Sequence, residues 1–315
     1  MNKKIINILT HPGSFHADDI FSTALLKLYF KYKNKDVVLK LKRSDKKTDI
    51  EKADIVYDIG RIYDEKKLRF DHHQGGYNLI RENGIKYASF GLLFKKYGIE
   101  LISLISKNKN KNFLKKVFSE LERILILDID AMDNGQLTYD RKYKDVDIFT
   151  ISNYFRITGI IDHQDNSKIL DKRFNELVNL SINILNNMII YSINRIDEDE
   201  AVFKVYKKSK DKRIICFDKS YDVRLLGQYK EPLVSIYKDK RGNWSAKVVE
   251  NLGKLYDSRY LFPKQWRGLY EKDLEKVSGV EGAIFCHLAG FLCVNKTKEG
   301  LLKMIHKAFE MDGVK

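Results

Sequence analysis

Short apolar runs alternate with amphipathic stretches along the first 165 residues, and this alternation restricts the possible folds more than any other feature of the chain. Ile5 to Thr10, Val37 to Leu41 and Ile55 to Ile59 have strand length, whereas Asp18 to Tyr32, Ser89 to Tyr97 and Asn112 to Leu127 read as helices. Strands separated by helices predict an α/β layer with a mainly parallel sheet. In that architecture the residues at the carboxyl ends of the strands converge on one crevice. His11, Asp58 and Asp71 stand at or just after such ends, so side chains far apart in sequence are expected to meet there.

A long helical stretch follows, from about Asp171 to Lys208, with Phe174, Leu177, Val178, Ile182, Leu185, Met188 and Ile189 at helical spacing. Beyond it the character changes. Ile214 to Asp218 and Leu233 to Tyr237 read as strands, and Asp239-Lys240-Arg241-Gly242-Asn243 reads as a hairpin turn into a returning strand, Trp244 to Val249. A helix from about Lys298 to Phe309 follows. The expected division is a catalytic α/β domain over 1–165, a helical connector over 166–212 and a smaller α+β domain over 213–315. A hydrophobic content of 43% in 315 residues suffices for two cores. No apolar stretch approaches the roughly 20 residues of a membrane span, and the apolar part of the start is too short for a signal peptide. The three cysteines make an odd count without Cys-x-x-Cys spacing, which points to a reducing compartment and a cytoplasmic protein. Lys plus Arg exceeds Asp plus Glu, 58 against 43, and the net charge of +15 favours a polyanionic partner such as nucleic acid. An AT-rich coding bias would leave the same excess, so charge alone does not decide the partner.

The chemistry lies in two loops. Asp71-His72-His73 follows a strand-like run, and His11, His16 and Asp18 precede it. Carboxylates and imidazoles are the ligands of divalent Mn, Mg or Zn, and no cysteine is close enough in sequence to suggest a structural zinc clip. Two ions about 3.5 to 4 Å apart need a bridging carboxylate, and hydrolysis of a phosphate ester is the reaction such a pair suits best. Asp58 is the best bridge. His11, His16 and Asp18 approach from one turn, Asp71 and His72 from another, and Asp130 or Asp133 closes the site from a third. Taken singly, Asp18 and Asp19 read as helix caps. Four of the seven histidines fall in these two loops, however, each with carboxylates close by, and that combination favours the metal reading.

The Asp-His-His triplet, Asp58 in Tyr-Asp-Ile-Gly and the opening His-x4-His-x-Asp-Asp resemble the DHH phosphoesterase superfamily, which includes RecJ-type nucleases, oligoribonucleases and manganese pyrophosphatases. One branch, the Myg-type exonucleases, is closer. It is similar to this chain in His11-Pro-Gly-Ser-Phe-His16-Ala-Asp18-Asp19, Arg69-Phe-Asp71-His-His73-Gln74 and Ile129-Asp130-Ala-Met-Asp133-Asn-Gly135. Far downstream it is similar in Pro263-Lys-Gln-Trp-Arg267-Gly-Leu, Val277-Ser-Gly279, Gly282 to Phe291 and Asn295 to Gly300. Superfamily members usually open with His-x3-Asp-x-Asp; this chain has one more residue and His16 in place of the first aspartate, as the Myg branch does.

The resemblance implies one ion on His11, His16 and Asp58, and a second on Asp18, Asp58, His72 and an aspartate of the fourth motif. Asp133 is preferred for that place, since Asp133-Asn134-Gly135 resembles the Asp-Thr-Gly of related nucleases; Asp130 is the runner-up. Asp71 would orient His72, and His73 would face the scissile phosphate. Downstream, Arg267, His287, Gly290 and Lys296 would bind substrate phosphates, while Trp266 reads as a base-stacking platform or, apart from the family, as packing. The implied activity is a metal-dependent phosphodiesterase: a 3′-to-5′ exonuclease on RNA or short oligonucleotides, RNA favoured over DNA. Two divalent cations are implied, manganese favoured and magnesium possible. A small-molecule phosphoesterase or pyrophosphatase on the same domain is the nearest rival, and a nucleic-acid-binding protein with a vestigial site is the other.

Overall fold

The computed structural model describes residues 3–136, 138–140, 143–160, 166–254 and 257–314. The chain divides into two compact units, Met1–Ile196 and Asp197–Lys315. The first holds β1 (Lys4–Thr10), α1 (Ala17–Lys33), β2 (Val37–Arg43), α2 (Lys47–Lys52), β3 (Ile55–Tyr57), β4 (Tyr63–Asp64) and β5 (Arg69–Phe70), then α3 (Ser89–Ser106), α4 (Lys111–Leu121), α5 (Leu127–Asp133) and α6 (Ile151–Gly159). Helix α7 (Ser167–Lys208) contains the boundary between the units.

The sheet order is β2-β1-β3-β5-β4. Every neighbouring pair is parallel except β4–β5, which is antiparallel. The mainly parallel sheet expected from the alternation is therefore present, with a short antiparallel edge that two-residue strands do not announce in sequence. In β3 the run Ile55-Val56-Tyr57 is wholly buried, as a strand covered on both faces requires. At the opposite edge β2 alternates, turning Lys40 and Lys42 outward, which blunts an edge strand. Helix α1 is buried without a break from Ala17 to Leu26, its polar Asp18, Asp19, Ser22 and Thr23 included, so it is a core helix that is covered on nearly every side. Thr10, Tyr57 and Phe70 end the parallel strands β1, β3 and β5, and His11, Asp58 and Asp71 directly follow them.

Expected helix 112–127 is interrupted. A π-helical turn, Glu122–Ile126, separates α4 from α5, and such turns re-phase the helix face that follows. The helix α6 was not anticipated. The expected boundary at 165 lies outside the described residues. Helix α7 does more than connect, because Phe174, Leu177, Val178, Leu185 and Ile189 belong to the first unit's core.

The second unit holds β6 (Ile214–Cys216), β7 (Val234–Lys238), β8 (Trp244–Val248), α8 (Glu271–Ser278), β9 (Ala283–Cys286), β10 (Leu292–Asn295) and α9 (Lys298–Met311). Its sheet runs β6-β7-β8-β10-β9, parallel only between β6 and β7. The β7–β8 turn forms where expected: Asp239 Oδ1 accepts from the Arg241 and Asn243 N–H groups, and Gly242 takes φ +89°. Thr297 caps α9 by accepting from the Gly300 N–H at 3.0 Å. Among the described residues no helix is long and apolar enough to cross a membrane.

One junction in the first unit binds three sequence motifs. The N-cap of α3, Ala88, has no side-chain oxygen, and its first turn is capped from elsewhere. The Phe90 N–H donates to Asp18 Oδ1 at 2.7 Å and the Gly91 N–H to Asp130 Oδ1 at 3.0 Å. Ser89 Oγ accepts from the Asp58 N–H at 3.0 Å. The other Asp130 oxygen pairs with Arg81 Nη2 at 2.7 Å, and Arg81 lies 3.6 Å from the centroid of the Tyr87 ring. A Cβ on residue 91 would stand 1.9 Å from Asp130 Oδ2, which no small shift relieves. Gly91→Ala should cost about 3 kcal/mol, the upper part of the range for overpacking a core. Urea unfolding would measure it, and a loss below about 0.5 kcal/mol would show that the junction yields freely.

Candidate metal centre

Three strand ends and two helix ends deliver the cluster. His11 follows β1, Asp58 follows β3, and Asp71-His72-His73 follows β5, while Asp133 ends α5. His16 is the N-cap of α1, and Asp18 and Asp19 lie in its first turn. Asp58 has φ +56°, a left-handed conformation that a residue with a Cβ adopts at a cost. Its backbone is held there by the Asp58 N–H, which donates to Phe70 O at 3.2 Å and to Ser89 Oγ.

Ligand atoms converge in three overlapping groups, each with all atoms within 4.8 Å of one another: His11, His16 and Asp58; Asp18, Asp58, His72 and Asp133; and Asp58, His72 and His73. Asp58 is common to all three. The first two have the membership that the family resemblance implies for two ions. His11 Nε2 lies 3.2 Å from both Asp58 Oδ2 and Asp19 Oδ2, and His72 Nε2 lies 3.0 Å from Asp133 Oδ2 and 3.6 Å from Asp58 Oδ1. These atoms are close yet not aimed as hydrogen bonds. Both oxygens of Asp58, Oδ2 of Asp18 and of Asp19, and Nε2 of His11 and of His72 are buried without a hydrogen-bond partner. Unsatisfied buried polar groups are costly. Donors that point at shared space rather than at each other fit divalent cations with oxygen and nitrogen ligation.

Asp130 lies outside these groups. The Arg81 ion pair and the Gly91 N–H engage both of its oxygens, so the geometry brings Asp133 to the cluster and leaves Asp130 in the α3 junction. Asp71 also differs from expectation. Its Oδ1 accepts from the His73 N–H at 3.0 Å and sits 2.8 Å from His73 Nδ1, and its Oδ2 accepts from the Arg61 N–H. Asp71 therefore orients His73 rather than His72, because the short turn folds the carboxylate over the residue two positions on. The group beside His72 is Asn134, whose Nδ2 donates to Asp130 O at 2.8 Å, leaving Oδ1 3.4 Å from His72 Nδ1. That contact favours a proton on Nδ1 and leaves Nε2 facing the cluster. Asp19, read from sequence as a cap, does accept from the His16 N–H at 3.1 Å; its second oxygen faces His11. The tandem Asp18-Asp19 was the available signal. Arg81 and Ser89 had none, since neither lies in a motif of chemical character.

Burial and charge act against each other here. Burial, together with the Asp133 and Asp58 charges, raises the Asp18 carboxyl well above the usual range. Burial would also raise Asp58, but His11 and His72 outweigh it and hold Asp58 below that range. Burial would lower His72, yet Asp133 and Asp58 push it up to about 11. Asp19 and Asp58 act likewise on His11, but the Gly13 N–H, 3.2 Å from its Nδ1, opposes a second proton on that ring. His73 is raised by its bond to Asp71.

In the second unit, Arg267 Nε donates to Phe262 O at 2.7 Å, and a Cβ at Gly290 would lie 2.6 Å from that nitrogen. Gly290 takes φ +74° in the turn between β9 and β10, where its N–H donates to His287 O at 2.8 Å. His287 packs its ring 4.2 Å from that of Phe291. Arg267, His287 and Gly290 thus gather at one end of the β9–β10 pair, whereas Lys296 follows β10 at the other end. Trp266 is fully buried in the second core, so it packs and offers no stacking face.

The MYG1 exonuclease family model, described as an uncharacterised protein family (UPF0160), matches residues 7–309. The chain belongs to this family. The Dictyostelium discoideum MYG1 protein is 29% identical over 96% of this chain and 96% of its own length. The Saccharomyces cerevisiae MYG1 protein YER156C is 28% identical over 94% of each. The Homo sapiens MYG1 exonuclease is 26% identical over 94% of this chain and 83% of its own. A structure of RecJ from Thermus thermophilus in complex with Mn2+ aligns over 99% of this chain and 52% of its own, at 12% identity and a TM-score of 0.27. A likeness that low adds nothing to the reading of the site.

The His72 shift has a sign that can be checked. With a pKa near 6.5 when unfolded and about 11 when folded, protonated His72 stabilises the metal-free fold fully below pH 6.5, and the contribution fades as pH rises through about 11. Chelator-treated protein should therefore lose thermal stability from pH 7 to 11 more steeply than manganese-loaded protein, in which a cation replaces the proton. Parallel curves would remove His72 from the cluster.

Proposed function

We propose that this protein is a metal-dependent phosphodiesterase acting as a 3′-to-5′ exonuclease on RNA or short oligonucleotides. The observation that carries this reading is the sharing of Asp58 by two ligand groups whose oxygens and nitrogens are buried and unsatisfied. Two divalent ions, manganese in preference to magnesium, supply Lewis acidity for water activation and for the charge on phosphorus when bound. His11, His16 and Asp58 would hold one, and Asp18, Asp58, His72 and Asp133 the other.

The chain's own groups account for the remainder. Asp71 takes the His73 Nδ1 proton as a hydrogen bond, so Nε2 of this half-exposed ring is free to donate toward a phosphoryl oxygen where charge develops. The bond to Asp71 also raises the His73 pKa, which favours the donating form of the ring. Arg267, His287 and Lys296 would bind substrate phosphates, which would make binding weaken with salt. The three cysteines are free, as suits a reducing, cytoplasmic setting. The name exonuclease borne by the human relative supports the same reading.

End-labelled RNA and DNA of equal sequence, incubated with Mn2+ or Mg2+, provide the test. Stepwise mononucleotide release from the 3′ end, faster on RNA, is expected. Turnover of pyrophosphate or dinucleotides alone would favour the small-molecule rival, and binding of RNA without cleavage would favour the binding protein. Asp58→Asn should abolish hydrolysis with an unchanged circular dichroism spectrum; near-normal turnover would remove Asp58 from the bridging place. His287→Ala should raise KM with kcat retained, whereas lost turnover at constant KM would put His287 in the chemistry.

A further inference from the structure

A cavity of about 340 Å3 opens beside the cluster, and Asp18 and Asp133 are among its lining. Phe15, Ile129 and Met132 give it apolar wall. Ser152, Asn153 and Arg156, at positions i, i+1 and i+4 on one side of α6, give it polar wall. The helix is a firm support for them: Phe155 is fully buried with its ring 5.9 Å from that of Phe21, and Gly159 packs directly over Phe15.

The polar groups are ready for a ligand. The Thr150 hydroxyl donates to Asn153 Oδ1 and accepts from the Asn153 N–H at 3.1 Å, which fixes the amide and leaves its NH2 as a donor. Arg156 is exposed and, among the described residues, has no ion pair or hydrogen bond, although the cavity it lines also holds two carboxylates. A guanidinium that lines one cavity with two acids and pairs with neither is suited to an anion that those acids bind through cations. The volume is at the low end for ligand pockets, about 300 to 1,000 Å3, so it suits one nucleoside.

We infer that this cavity is the subsite for the terminal nucleoside of a single-stranded chain, with the base against Phe15, Ile129 and Met132, the Asn153 amide on its polar edge, and Arg156 on a free oxygen of the phosphate at the cluster. The inference rests on the phosphodiesterase reading for its role in turnover, but the subsite itself is measurable without turnover. AMP, which carries a base and one phosphate, is the probe.

In calorimetric titration of the manganese-loaded full chain, AMP should bind the wild type. Arg156→Ala should weaken binding about tenfold, the effect of losing one hydrogen bond to a charged group, and Arg156→Lys should recover part of it. Ser152→Trp, which fills the cavity, should weaken AMP more than inorganic phosphate. In turnover of a labelled oligonucleotide, Arg156→Ala should raise KM about tenfold with kcat within about twofold, and should raise KM for bis(4-nitrophenyl) phosphate by less. No AMP binding by the wild type, or equal AMP binding by the wild type and Arg156→Ala, would overturn the subsite. AMP binding that depends on Arg156 in a protein that cleaves no phosphodiester would keep the subsite and end the phosphodiesterase reading. Turnover with an unchanged KM in Arg156→Ala would do the reverse.

Discussion

The first turn of α3 is the constraint on which the rest of the centre depends. A helix start leaves N–H groups without partners, and here two buried carboxylates from distant segments take them: Asp18 from α1 and Asp130 from α5. A third segment joins through the Asp58 N–H on Ser89 Oγ. The positive end of the helix dipole compensates part of the cost of burying those acids. This junction ties α1, α5 and the β3 end to one helix start, and the ligand groups that share Asp58 draw on all three. Asp130 therefore works at one remove from the cluster, and Arg81 closes its charge from the other side.

Strain and charge are stored at the same place. Asp58 is left-handed and carries two unsatisfied oxygens, and Asp18 and Asp19 add further buried acids beside it. Burial crowds these acids with His11 and His72, whose rings are pushed toward their charged forms while the Asp18 carboxyl is pushed toward its neutral one. Cations would replace those protons, which is why the arrangement fits a metal centre better than a structural ion-pair network. Two outer contacts then divide the paired histidines: Asn134 turns Nε2 of His72 to the cluster, and Asp71 takes Nδ1 of His73 and leaves its other nitrogen outward.

Much of this was legible from residue order. Alternation of apolar runs predicted the parallel sheet, because a strand covered on both faces must be continuously apolar, as Ile55-Val56-Tyr57 is. The histidines and aspartates stood out because strand ends feed one crevice. Less visible were contacts that reverse a local expectation. Asp71 adjoins His72 in sequence but folds onto His73, a matter of turn geometry. The division of the chain inside α7 was hidden because an apolar helical stripe reads the same whether it connects units or fills a core. Helix α6, with the cavity it lines, carries no motif at all.

By itself, the sequence determined the class of fold and the short list of acids and imidazoles that could hold a cation, since these follow from periodicity and from donor type. Tertiary structure alone placed Asp133 in the cluster and Asp130 in the α3 junction, gave His72 and His73 their neighbours, and set Arg156 on one cavity with Asp18 and Asp133. Those choices depend on distances of an ångström or two between segments dozens of residues apart. Periodicity carries no information at that scale, because it records which way a side chain faces and not what it meets.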